Sequence, residues 1–299
     1  SGLIPNSFCN LSNIDIDLSD NNLCPSYPAC LSEEQIGNQN TSSCPDCEEN
    51  EIGIDDVCYS QNDLDVLAIF ATNSGMSTEY ADVIGMGDQT WDGDGRLTNL
   101  NCQDCGLSGN IPSEIGTLTE LTSLRLFLTN SNLNGYIPPG IWNLTNLTLL
   151  NIHGNNIEGT IPPQVENLTQ LKSLYLYNNK LTGSIPPEIG NLTNLTHLYL
   201  WSNQLTGTIP LEISNLTNLT HLDLLSNQLI GSILPEIGNL KNLIYLTLGY
   251  NELTGDIPES ICQLVDNGCW VHLTDNQLCP PYPSCVEDYV GEQDTPNCD

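Results

Sequence analysis

Residues 195–218 read LTHLYLWSNQLTGTIPLEISNLTN, and variants of this stretch recur along most of the chain. Placed in register, Leu97, Leu121, Leu147, Leu171, Leu195, Leu219 and Leu243 mark the copies, with a step of 24 residues except for 26 between Leu121 and Leu147. Each position has a physical task. Leu198, Tyr199 and Leu200 alternate inward and outward, as a short strand with one buried face must. Strands of successive turns stack into one parallel sheet, and at about 4.8 Å per strand the turns build a rod on the order of 30–35 Å long. Asn155, Asn179, Asn203, Asn227 and Asn251 sit where the chain turns inward; their amides can satisfy backbone groups of neighbouring turns as a ladder. Cys105 takes that place in the first copy, which predicts a buried thiol and makes it the first choice for the odd, unpaired cysteine. The run Gly183, Ser184, Ile185, Pro186 turns the chain and starts an extended return strand.

A period of 20–29 residues with the pattern L-x-x-L-x-L-x-x-N-x-L is a leucine-rich repeat. The L-T-G-x-I-P-x-E-I-G variant seen here resembles the plant-specific class, known from plant receptor-kinase ectodomains and polygalacturonase-inhibiting proteins and similar to repeats of bacterial surface proteins. The resemblance covers residues 97–285. It implies a mostly β solenoid of α/β type: a right-handed superhelix with a parallel concave sheet, a second small sheet beside it and disulfide-stapled caps. Residues 63–70, DLDVLAIF, have the spacing of an amphipathic helix, and with WDGDGRL at 91–97 they resemble the family's N-terminal cap. The family's paired cap cysteines are not in their usual places. At the other end, NQLCPPYPSC at 276–285 resembles the C-terminal cap. That analogy implies a Cys279–Cys285 pair, makes Cys262 and Cys298 candidates for a second staple, and leaves Cys269 unassigned.

Composition narrows the function. Asp and Glu number 37 against 5 Lys and Arg, a formal charge of −32, which repels nucleic acid and anionic membranes and favours cations and basic partners. No stretch has the roughly 18–20 apolar residues of a membrane helix. The 13 cysteines avoid residues 106–261 and cluster at the ends, as staples of caps do, and point to an oxidising compartment. Zinc is the rival reading for the Cys44/Cys47 and Cys102/Cys105 spacings, but neither has a histidine near it. Asp92 and Asp94 resemble the start of a calcium loop without the later carboxylate such a loop needs, so calcium is the one ion the sequence leaves room for and no cofactor is expected.

Outward positions of the repeated strand form columns on the concave face. One reads Arg125, Asn151, Tyr175, Tyr199, Asp223, Thr247; the next Phe127, His153, Tyr177, Trp201, Leu225, Gly249; the third Ser123, Leu149, Ser173, His197, His221, Tyr245. In a chain with 6% aromatics, Tyr175, Tyr177, His197, Tyr199, Trp201, His221 and Tyr245 gather on one surface. A contiguous exposed aromatic patch predicts contact with protein or with sugar rings; the blander account is that aromatics suit strand surfaces. His197 and His221 lack a clear third partner for a metal. Glu188, Glu212 and Glu236 recur because the repeat recurs, and no nucleophile–base set or phosphate loop is present, so catalysis is not expected. Glycosylation acceptors occur at Asn10, Asn40, Asn143, Asn146, Asn167, Asn191, Asn194, Asn215 and Asn218, the last seven inside the repeat, where the same letters also serve packing.

The chain also opens on a copy of its ending. LCPSYPAC at 23–30 matches LCPPYPSC at 278–285, which makes Cys9, Cys24, Cys30 and Cys44 the matching disulfide candidates. The expected organisation is a partial last repeat and C-cap of a preceding module at 1–47, a linker and helical N-cap at 48–96, repeats at 97–264 and a C-cap at 265–299. The expected function is non-catalytic binding or adhesion, outside the cell or on its surface, by the concave aromatic face. The rival is a structural subunit that polymerises through copies of itself. Ice or mineral binding by a row of Thr182, Thr206 and Thr254 is a third idea, and Ile230 interrupts that row.

Overall fold

The computed structural model describes residues 18, 19, 21, 30–39, 47–54, 57–127, 132–295 and 298. Its spine is a nine-stranded sheet. β1 (Asp88–Trp91) and β2 (Leu97–Gln103) pair antiparallel. From β2 onward every neighbour is parallel: β3 (Ser123–Phe127), β4 (Leu149–Asn151), β5 (Ser173–Tyr175), β6 (His197–Tyr199), β7 (His221–Asp223), β8 (Tyr245–Thr247) and β9 (Trp270–His272). A second set of short strands, from Ser108–Asn110 to Gln277–Cys279, lies where the side sheet is expected, divided into a five-stranded and a three-stranded sheet that the single bridge Thr208–Ile230 links. Short 3-10 turns such as Pro187–Asn191 and Leu211–Asn215 close each repeat on the convex side and hold Glu188 and Glu212 there. The repeated leucines, Leu171, Leu195 and Leu219 among them, are fully buried in one continuous core.

The asparagine ladder is present and one rung longer than expected. Asn203 donates through Nδ2 to the carbonyls of Leu176 (3.1 Å) and Leu200 (3.0 Å), while its Oδ1 accepts the Leu181 amide (3.0 Å). Asn155, Asn179, Asn227 and Asn251 repeat the donation to the turn before, and Asn276 adds a sixth rung to Leu248. The residue before a rung takes a left-handed backbone, as at Ser202 (φ 53°) and Ser226 (φ 54°), which tightens the turn. In the side sheet Gly183 (φ 76°) is required twice over, because a Cβ there would also lie 2.9 Å from Thr160 Cγ2.

Cysteine chemistry departs from the expectations in three ways. Cys105 is not the unpaired thiol; it bonds to Cys102, so the first copy replaces a ladder rung with a covalent one. Cys279 does not pair with Cys285, nor Cys262 with Cys298. The bonds are Cys262–Cys285 and Cys279–Cys298, with Cα–Cα separations of 5.5 and 5.4 Å. The reason is spatial: Cys262 rides on a helix (Ile261–Asp266), whereas Cys279 ends a strand of the side sheet, so each meets a partner far along the chain. Among the described residues the free cysteine is Cys269, which is buried. Cys47 pairs with Cys58, and Cys30 is disulfide-bonded; Cys9, Cys24 and Cys44 lie outside the described residues.

At the N-terminal cap the expected helix spans Gln61–Asn73 and buries Leu64, Leu67 and Phe70. Asp63, fully buried, latches the helix to the first repeat: its Oδ2 accepts from Arg96 Nε at 3.0 Å and from the Leu97 amide at 2.8 Å. The described part of residues 18–39 repeats the geometry of the C-cap. Helices Glu33–Ile36 and Glu287–Val290 each end at a left-handed glycine, Gly37 (φ 60°) and Gly291 (φ 62°). Gln39 donates to the carbonyls of Leu18 and Ile36 as Gln293 does to those of Leu273 and Val290. The start of the expected partial repeat, residues 1–17, and the LCPSYPAC match up to Cys30 lie outside the described residues.

Candidate functional site

The concave columns hold the expected rings in direct cross-strand register: Tyr175 opposite Tyr199, His197 opposite His221, and His221 opposite Tyr245. Tyr175, Tyr177, His197, Tyr199, Trp201, His221 and Tyr245 are all half-buried on one face. The sheet stacks them face to face into two ladders. One runs Phe127, His153, Tyr177, Trp201, with centroid distances of 4.4, 4.2 and 4.6 Å and planes within 24°. The other runs His197, His221, Tyr245, Trp270, at 4.6, 6.1 and 4.7 Å. Tyr199 joins them, standing across Tyr177 at 62° and His221 at 67°. The result is one aromatic belt, running diagonally from the last outward position of β3 to the first outward position of β9.

Two properties of the belt follow from its hydrogen bonds. Thr196 and Thr220 donate their hydroxyls to the carbonyls of Lys172 and Thr196, so each hydroxyl oxygen is left to accept. His197 Nδ1 lies 2.8 Å from Thr196 Oγ1 and His221 Nδ1 lies 2.9 Å from Thr220 Oγ1, so both imidazoles donate from Nδ1 and keep Nε2 as an acceptor. Burial lowers the pKa of both, with mutual repulsion adding for His197, and it lowers that of His153 to about 4. At neutral pH the belt is therefore uncharged. Burial also pushes the Tyr199 hydroxyl up to about 12, with neighbouring phenols and Asp223 adding to the effect.

Three belt members outside the seven expected residues complete it. Phe127 and His153 stand in the sequence columns, but their copies carry the 26-residue step and read as less regular. Trp270 was legible too: Val271, Leu273, Asn276 and Leu278 follow the repeat pattern, yet Tyr245 to Trp270 is one residue longer than the usual step, and the stretch resembles a cap.

The other expected sites fall elsewhere. Asp92 Oδ1 accepts the amides of Asp94 (3.0 Å) and Arg96 (2.9 Å), which closes a turn ahead of β2. Among the described residues one group has three metal-ligand side chains together, Cys47, Glu51 and Cys58, and its two sulfurs are joined to each other. Asn143, Asn146, Asn167, Asn191, Asn194, Asn215 and Asn218 are all exposed on the convex turns. Of these, Asn146, Asn194 and Asn218 donate to the carbonyls of Thr119, Thr169 and Thr193 in the preceding turn, which is the packing role of the repeated letters. Asn10 and Asn40 lie outside the described residues. No described helix is long and apolar enough to cross a membrane.

Comparison with known proteins gives the same fold. Residues 96–229 match the family model of a leucine-rich repeat region, and residues 242–264 match a second leucine-rich-repeat model. Polygalacturonase inhibitor 2 of Arabidopsis thaliana is 49% identical over 57 residues, 19% of this chain and 17% of that protein. The ectodomain of the Arabidopsis receptor kinase HAESA, solved with an extended IDA peptide hormone, is 34% identical with a TM-score of 0.57, covering 62% of this chain and 31% of that one. A plant ice-binding protein is 27% identical with a TM-score of 0.51, covering 76% of this chain and 90% of that one. The chain thus spans well under half the length of the inhibitor and the receptor.

Proposed function

Because the chain belongs to the leucine-rich-repeat family, with repeats of the plant type, we propose that it is a non-catalytic binding protein of the extracellular space or cell surface. The aromatic belt is its recognition surface, and a peptide or protein is its ligand. The observation that carries this reading is the continuity of the belt. Two ladders of rings joined by Tyr199 leave half-exposed aromatic area on the face where solenoids present side chains. Structural cross-strand pairing needs adjacent pairs; it does not need rings carried across seven strands. Comparison with a peptide-hormone receptor ectodomain and an inhibitor protein supports the reading, as do the disulfides, which suit an oxidising compartment. The polymer alternative finds no such support. An ice-binding face is not extended to this chain either, because in the side sheet Glu158 and Ile230 break the row of Thr182, Thr206 and Thr254.

The test uses immobilised peptide and glycan arrays. The protein is expected to bind peptides, and the Trp201→Ala/Tyr199→Ala double variant is expected to lose that binding while unfolding only a few degrees lower, since an aromatic pair adds about 0.5–1.5 kcal/mol. Unchanged capture by the double variant removes the belt as the site. Binding confined to glycans replaces the peptide with a carbohydrate ligand.

A further inference from the structure

The middle concave column runs Tyr199, Asp223, Thr247, His272 in cross-strand register on β6 to β9. Asp223 is 9% exposed. Its Oδ1 accepts the Leu225 amide at 3.1 Å and the Thr247 hydroxyl. Its second oxygen accepts nothing from the described residues. No Lys or Arg pairs with it among the described residues: the one ion pair there joins Arg96 to Asp63, Arg125 stands four strands away on β3, and the basic group that its field reaches is the His272 imidazole, two strands on in the same column. That oxygen is not closed off from solvent, so it can take a donor that a ligand brings. Rings surround it. Tyr199 lies directly across the strand gap, His221 precedes it by two residues on the same face, and the stacked pair of Tyr245 and Trp270 follows on β8 and β9. Because Tyr199 stands at 67° to His221, the two planes form a corner beside the carboxylate rather than a closed stack.

We propose that Asp223, together with the rings of Tyr199, His221, Tyr245 and Trp270, seats the guanidinium of an arginine side chain carried by the bound peptide. This deepens, and rests on, the reading of the belt as a binding face. A guanidinium fits the corner better than an ammonium: it is planar, lies flat on aromatic faces, sheds water more readily and presents forked donors to a carboxylate. The net charge of −32 draws such a peptide toward the protein but does not place it. Asp223 does the placing.

The probes are the capped tripeptide acetyl-Gly-Arg-Gly-amide and its lysine and citrulline counterparts, titrated against the intact protein by tryptophan fluorescence with calorimetry. Arginine is expected to bind tighter than lysine, and citrulline, which is flat but uncharged, to bind at least about tenfold more weakly than arginine. Asp223→Asn keeps an acceptor for Leu225 and Thr247, so the fold is retained, and it is expected to weaken arginine binding about tenfold or more. Glu212→Gln, an equal change of charge on the convex turn, is expected to leave affinity within about twofold. Tyr199→Leu keeps the acid and is expected to remove the preference for arginine over lysine. Equal losses in Asp223→Asn and Glu212→Gln would reduce the effect to general attraction and overturn the proposal. Citrulline binding as well as arginine, or no arginine binding at all, overturns it too. Peptide capture that depends on Trp201 would survive each of those failures, which separates this proposal from the belt itself.

Discussion

His153 shows what a single side chain experiences inside the belt. It lies between Phe127 and Tyr177, and its Nδ1 is 2.6 Å from Asn151 Oδ1. Burial lowers its pKa from 6.5 to about 4. The folded state therefore resists the proton that the unfolded chain accepts, so the neutral ring's contribution is whole above about pH 6.5 and is lost as pH falls from there toward about 4. Urea midpoints at pH 7 and pH 5 are expected to separate further for the parent than for His153→Gln; equal separations would show that the ring is not shielded as the structure describes. At this scale the sequence was readable where a residue type recurs and opaque where it acts once. The seven expected aromatics all lie on the face. Asp63, by contrast, looked like one more polar position at a helix start, and only the fold brings Arg96 and Leu97 to it across more than thirty residues.

The ladder is the element whose worth is easiest to measure. Replacing Asn251 by alanine removes an acceptor from the Leu229 amide and donors from the Leu224 and Leu248 carbonyls, all of them buried. The expected cost is about 2–3 kcal/mol, because buried groups left unpaired lose more than an average hydrogen bond contributes. A urea titration reads it, and a loss below about 0.5 kcal/mol would mean that water substitutes for the amide. The rungs were legible because they repeat every 24 residues, and so were the paired sheets, whose alternation is the same in every copy. The caps were legible as motifs but not in their bonding: residues 18–39 repeat the backbone of the C-cap, yet disulfide partners depend on proximity that spacing does not encode. The correction at Cys105 has the same origin: its place in the ladder was right, but the covalent partner three residues away replaced the amide.

As a whole the molecule is a one-dimensional stack, in which each turn depends on its neighbours and the ends carry the risk. The C-terminal bonds address that risk by interleaving: Cys262–Cys285 and Cys279–Cys298 overlap along the chain, so neither loop can open alone. The Cys262→Ser/Cys285→Ser variant is expected to lose about 3 kcal/mol, the value for a loop of this size, as measured by chemical unfolding without reductant. An unchanged midpoint would show that packing of Ile261 and Leu264 suffices to hold the end. The diagonal course of the belt has a consequence of its own. From Phe127 to Trp270 it crosses six strand spacings, about 29 Å, and shifts four residues along the strands, about 13 Å, so its length is about 32 Å, and an extended chain advances about 3.3 Å per residue. The face is in effect a ruler: a partner must offer about ten consecutive extended residues to lie along all of it. Trimming such a partner from either end then lowers affinity in steps, each step marking the loss of one ring.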